Sequence, residues 1–302
     1  MHFMNPVPAA VRDCILEARF RQLGLRMVLV AGMTLSGWFH STPVSGADPA
    51  RDQITQISVM NALMLGDYRG TTTMETLLQA GNFGLGTFDH LDGELIVLDG
   101  QAWQAKSDGS IHRCEPDMLT PFAVVTSFEG EETFDCPPAG SLEQLEELLK
   151  ARLPGRDAFV AVRVEGKFQS VFLRAVPRQS PPFRPLAEVV KEQSQWQKTD
   201  LTGTLIGMRC PGWVTGIGIP GFHWHFLSTD HQSGGHVFDC RIQSGTVSFD
   251  RCRTWTIRLD DSLESSSHDL GQDLSREIQQ VERQRGTSPP QGTESQPPSS
   301  GN

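Results

Sequence analysis

The sequence has no Cys-x-x-Cys pair, no internal repeat, no uninterrupted apolar run long enough to span a bilayer, and no dense cluster of Lys and Arg. Each absence removes a class of protein. Without Cys-x-x-Cys, a zinc ribbon or a thioredoxin-like redox site is not indicated. Without a clustered basic face, nucleic acid and anionic membrane are poor partners, because both are held by concentrated positive charge. The motifs that hold thiamine, pyridoxal or biotin are missing too.

The chain has 302 residues, and 38% of them are hydrophobic, enough for a sizeable core. Formal net charge is −10; residues 1–47 carry +2, which leaves −12 on the remainder. An acidic body still admits a small anionic substrate, since one buried Arg can set the local field. The six cysteines, Cys14, Cys114, Cys136, Cys210, Cys240 and Cys252, read as small buried hydrophobes. In an exported chain, Cys114–Cys136 or Cys240–Cys252 are the pairs near enough in sequence to bridge locally.

The two ends differ from the middle. Arg19, Arg21 and Arg26 precede an apolar run, Met27 to Met33, and a small-residue stretch, Val44-Ser45-Gly46-Ala47. That order reads as a secretory signal within a leader of residues 1–47. It implies a secreted or periplasmic protein with no membrane attachment after processing; a disordered cytoplasmic extension is the other reading. Residues 285–302 are mostly Pro, Ser, Gly and Gln, the composition of a disordered tail.

Between the ends the pattern predicts an α+β protein. Residues 48–198 read as an α+β domain: a strand and helix over Ile54–Leu65, a helix over Thr73–Ala80, and strands over Gly84–Leu91 and Glu94–Leu98. A further hairpin follows, with turns at Asp99-Gly100 and Asp108-Gly109, then a buried strand in Pro121–Phe128. Ser141–Arg152 is the clearest helix, capped by Ser141 and Gln144, with Leu142, Leu145, Leu148 and Leu149 on one face. Ala158–Val164 and Phe168–Val176 read as two strands joined at Glu165-Gly166, and Pro185–Gln193 as a short helix. Residues 199–284 read as short antiparallel strands up to Leu259, forming a sheet or barrel, with helix returning over Ser265–Arg283.

The sharpest local feature is Gly221-Phe222-His223-Trp224-His225-Phe226-Leu227. In a strand, residues two apart share a face. His223 and His225 then lie side by side, while Phe222, Trp224 and Phe226 pack behind them. A polar turn from Ser228 to Gly235 leads to His236, which a hairpin brings back beside the pair. Three neutral imidazoles with an open fourth position are the donor set of a catalytic zinc site. His231 reads as solvent-facing, and His90, His112 and His268 as structural. His-x-His also occurs in cupin barrels, but there a Glu follows where this chain has Asp230, and no second motif is present. A cupin-like metal-dependent oxygenase and a non-enzymatic exported metal-binding protein are the alternative readings.

Several blocks in one order resemble the acetolactate decarboxylase family, from about Gln53 to Glu282. They are Phe83-Gly84-Leu85-Gly86-Thr87-Phe88 leading into Leu91-Asp92-Gly93-Glu94-Leu95-Ile96; Ala161 to Phe168 ending at Leu173-Arg174-Ala175-Val176; Gly203 to Gly207; Gly216 to Phe226; Gly234-Gly235-His236-Val237-Phe238-Asp239; and Glu277 to Glu282. The resemblance implies zinc on His223, His225 and His236, with Glu94, Arg174, Glu282 and Thr87 as catalytic residues. It implies a homodimer that converts (S)-2-acetolactate to (R)-acetoin and CO2, a step of acetoin and butanediol formation. Glu94 and Glu282 are both open as the proton donor.

Overall fold

In the computed structural model, residues 52–260 and 268–283 are described, and they belong to one compact unit. The signal expected in 1–47 and the tail expected in 285–302 lie outside the described residues. Fourteen strands and five α-helices are described. No helix among the described residues is long and apolar enough to cross a membrane.

The α+β class is as expected. Seven strands form one sheet in the order β14-β1-β8-β3-β4-β5-β6. They are β1 (Gln53–Ile57), β3 (Phe83–Thr87), β4 (Glu94–Leu98), β5 (Gln101–Ala105), β6 (Ile111–Arg113), β8 (Ala123–Thr126) and β14 (Thr254–Arg258). The sheet is mixed, because β14 runs parallel to β1 while the other pairs are antiparallel. Two-residue strands β2 (Thr72–Thr73) and β7 (Leu119–Thr120) pair beside it.

The second sheet is antiparallel, in the order β10-β11-β12-β13-β9. Its strands are β9 (Glu132–Cys136), β10 (Phe159–Ala175), β11 (Ser194–Cys210), β12 (Gly221–Ser228) and β13 (Gly234–Cys252). β13 also pairs with β10 along most of its length but meets β12 over only three residues, so no evenly closed barrel results. The strands here are long, where short ones were expected.

Two boundaries differ from the sequence reading. The division at 198/199 falls inside β11, and each sheet draws strands from both sides of it. The turn at Glu165-Gly166 does not form, and β10 is one continuous strand of 17 residues. Gly166 lies in register with Gly203 on one side and Gly245 on the other. A Cβ on Gly166 would sit 2.3 Å from the Ser244 carbonyl oxygen. Glycine marks close backbone approach here rather than a chain reversal.

Layering follows from alternation. Leu85 and Ile96 of the first sheet and Ile206 and Leu227 of the second meet in one buried cluster between the sheets. Helix α3 (Leu142–Lys150) covers the other face of the second sheet, where Leu145 and Leu149 meet Val162, Trp224 and Phe226. Ser141 caps α3 by accepting from the Gln144 amide, and the Gln144 side chain accepts from Gly140 N. Helix α2 (Met74–Leu78) covers the outer face of the first sheet. Helices α1 (Met60–Met64), α4 (Leu186–Val189) and α5 (Ser275–Arg283) close one end. Helix α5 is shorter than the sequence suggested. Asp273 accepts from Ser275 N at its start, and residues 268–274 are not helical.

The cysteines Cys114, Cys136, Cys210, Cys240 and Cys252 are free thiols. Cys240 and Cys252 occupy one strand, β13, opposite Val171 and Phe159 of β10, and an extended strand of that length holds their Cα atoms far beyond disulfide reach. Cys114 follows β6 in the first sheet while Cys136 ends β9 in the second, so neither expected bridge forms.

One glycine supports the site directly. Gly207 of β11 lies opposite Trp224, and a Cβ there would come within 2.1 Å of the indole ring. Gly207→Ala will therefore press on a buried ring that holds β12 in place. We expect a loss of about 1–3 kcal/mol of stability, read from the denaturant midpoint.

Candidate active site

Period-two alternation on β12 sends Phe222, Trp224 and Phe226 toward α3 and the two histidines toward the first sheet, as the sequence predicted. Phe222 and Trp224 stack at 5.3 Å between ring centroids, which stiffens the strand behind the histidines. His236 enters from β13 directly opposite His225. On the other side of β13, Arg174 of β10 pairs in register with His236. His225, His236 and Arg174 thus occupy neighbouring positions on three adjacent strands. Glu94, at the start of β4, faces this row from the first sheet, and Glu282 reaches it from the last turn of α5.

The three imidazoles are buried, and their ligand nitrogens all lie within 4.8 Å of one another. His223 Nε2 is 3.1 Å from His236 Nδ1. Nitrogens sharing a tetrahedral ion at ~2.0–2.1 Å stand roughly 3.3 Å apart, so the set suits one metal ion. His225 Nδ1 donates to the Leu95 carbonyl at 2.8 Å, which fixes the ring and leaves Nε2 free to bind. That Nε2 is buried and has no hydrogen-bond partner. Burial holds His223 down to about 3, and holds His225 and His236 well below the usual histidine range. The nearby Arg174 charge adds to the effect at each ring. All three rings are therefore neutral at physiological pH, the form in which an imidazole can bind a metal.

The carboxylates close around them. Glu94 Oε2 lies 3.5 Å from His225 Nε2, and Glu282 Oε2 lies 3.5 Å from His223 Nε2. Burial pushes both carboxyl groups up to about 7, against the opposing pull of Arg174. Arg174 is itself buried, with Nη1 donating to Gln193 Oε1 at 3.1 Å and the guanidinium over the Phe238 ring. Its Nη2 is 4.0 Å from Glu282, and its Nε is buried without a partner. The Thr87 hydroxyl donates to the Gly93 carbonyl at 2.8 Å and so braces the turn that carries Glu94.

One cavity takes in Thr87, Glu94, Arg174, His223, His236 and Glu282. Its remaining wall is apolar, formed by residues such as Met60, Leu63, Phe122 and Ile219. The seven residues that the resemblance implied, Thr87, Glu94, Arg174, His223, His225, His236 and Glu282, lie in or against this site. Sequence reasoning gave no site role to Gln193, Phe238 or the Leu95 carbonyl, which orient Arg174 and His225; Phe238 and Leu95 stand in blocks of the resemblance, while Gln193 carries no signal of its own. Asp230, the position where a cupin would place a Glu, is tied into the turn by Ser228 Oγ and the Gln232 amide. His231 is exposed and lies tilted against Trp103, with ring centroids 4.2 Å apart.

Two packed sheets with three buried imidazoles, two raised carboxyls and a buried guanidinium around one cavity define a metal-competent α+β protein with an enzyme-like site. A family model described as alpha-acetolactate decarboxylase matches residues 54–272. The chain belongs to the alpha-acetolactate decarboxylase family, whose members are carboxy-lyases. It is 39% identical over 234 residues to the alpha-acetolactate decarboxylase of Methanosarcina mazei, covering 78% of this chain and 81% of that one. It is 40% identical over 198 residues to that of Klebsiella aerogenes, covering 65% and 75%. The crystal structure of the Bacillus subtilis strain 168 enzyme superposes with a TM-score of 0.74 at 33% identity, covering 77% of this chain and all of that one.

Proposed function

We propose that this chain decarboxylates (S)-2-acetolactate to (R)-acetoin and CO2 with a zinc ion held by His223, His225 and His236. The observation that carries this reading is the convergence of Arg174, Glu94, Glu282, His223 and His236 on one cavity, with the His225 ring clustered beside them. When bound, zinc supplies a Lewis acid beside the substrate's hydroxyl and ketone oxygens.

The chain's own residues do the rest. Arg174 takes the substrate carboxylate on its free Nε and neighbouring donors, since guanidinium stays charged and forks onto two oxygens. Gln193 and Phe238 fix where that fork points. The C–CO2 bond breaks, and the electron pair moves toward the ketone. A proton must then reach the carbon that lost CO2, on one face only. Burial favours the uncharged acid and raises Glu94 and Glu282 to about 7, so each holds its proton for a substantial part of the time at neutral pH and either can deliver it. The apolar wall receives the two methyl groups and excludes water.

The donor's raised value sets a pH dependence. A carboxyl must be protonated to act, so the rate is full below its ionisation and is lost as pH rises through it. Acetoin release from 2-acetolactate, followed across pH, will fall along a limb no higher than about pH 7. No acetoin at any pH would overturn the reading.

A further inference from the structure

Glu282 reaches the histidines from the end of α5, and something must hold that end in place. The buried side chains of Ile278 and Val281 anchor the helix body to the core. At the last residue, Arg283 Nη2 lies 3.8 Å from Glu146 Oε2 of α3. Glu146 is buried, and it also accepts a hydrogen bond from Trp224 Nε1 at 3.2 Å. The Arg283 guanidinium passes over Gly221, where a Cβ would stand only 3.2 Å from Nη2. These contacts border a second, more polar cavity, which is lined by α3 and α5 residues and also reaches His223, His236 and Glu282.

We propose that the Glu146–Arg283 pair is a latch that holds the last turn of α5 and thereby positions Glu282 over the histidine cluster. It links three elements: α3 through Glu146, β12 through Trp224, and α5 through Arg283. The function of the latch rests on the reading that Glu282 acts in the site. Arg283 is 61% exposed at its side chain, so the pair adds little to global stability. Its leverage is geometric, because a displacement of about 1 Å in a reacting group can cost on the order of a hundredfold in rate. Both are positioning residues, remote from the substrate.

Arg283→Ala, Arg283→Lys, Glu146→Gln and the double variant Glu146→Gln/Arg283→Ala test the latch in the full-length protein. Glutamine at 146 keeps an oxygen that accepts from Trp224, so that variant retains its packing. Two readouts are needed: steady-state turnover of 2-acetolactate, and hydrogen exchange of the α5 amides from Gln280 to Arg283. Arg283→Ala should lower kcat roughly tenfold with KM within about twofold, and Arg283→Lys should recover most of it. The double variant should be no slower than either single one, because both remove the same link. Exchange in the last turn should accelerate severalfold while α3 is unchanged. Unchanged exchange in Arg283→Ala overturns the latch, whatever the activity. Faster exchange with wild-type kcat overturns its role in positioning. A wild-type protein inactive on 2-acetolactate would sink the proposed reaction instead, and exchange would still decide the latch.

Discussion

His225→Ala will lose its metal and at least roughly a thousandfold in turnover, because a Lewis acid in a dry site is worth several kcal/mol of barrier and each 1.4 kcal/mol is tenfold. His225 is the most deeply buried of the three histidines, at 0% exposure, and it stands opposite His236 with its ring fixed by the Leu95 carbonyl. Removing it leaves a two-imidazole set that cannot complete a tetrahedral site. The strand survives, since Phe222, Trp224 and Phe226 anchor β12 from its other face. Metal content by elemental analysis, with circular dichroism to show a retained fold, checks the result. One metal per chain at full activity in that variant would remove His225 from the site.

Glu94→Gln will keep the metal and lose about 10²–10⁴ in kcat if Glu94 is the donor, the range typical for loss of a general acid. The substitution preserves shape while removing the proton. It also separates catalysis from folding. In the metal-free wild type, burial raises the Glu94 value to about 7, so the folded state binds that proton more tightly than the unfolded chain. The resulting stabilisation is present below the unfolded value near 4.5 and is lost as pH rises through about 7. Metal-free Glu94→Gln should therefore gain on the wild type in stability as pH climbs from about 4.5 to about 7 and keep that gain above it, while turnover of the loaded enzyme collapses. Glu282→Gln run beside it assigns the donor: the variant that loses the proton step will show the larger fall and a changed ratio of acetoin enantiomers. Wild-type kcat in Glu94→Gln would exclude Glu94 from proton delivery.

The histidine cluster was legible in the sequence for a local reason. His223 and His225 are two residues apart between bulky aromatics, so period-two alternation alone places them on one face, and a polar turn returns His236. Arg174 and Glu282 were not legible in that way. Arg174 reaches His236 through a pairing of β10 with β13 that contains register shifts, which alternation along one strand cannot count. Glu282 comes from a helix 46 residues beyond His236, and only family resemblance pointed to it. The second-sheet strands also read as shorter than they are. Glu165-Gly166 has the composition of a turn, yet its glycine serves close packing between three long strands. Thr87 lines the cavity, and its hydroxyl also holds the Glu94 turn through the Gly93 carbonyl, a contact that no sequence pattern announced.

The central claim is that the three histidines hold a zinc ion required for acetoin formation. The direct measurement is metal content and acetoin release on the purified protein, before chelation, after chelation and after zinc is returned. About one zinc per chain, activity lost with the metal and restored with it is the predicted result. Acetoin formed at the full rate by metal-free protein, or zinc bound tightly with no acetoin and no CO2, would contradict it.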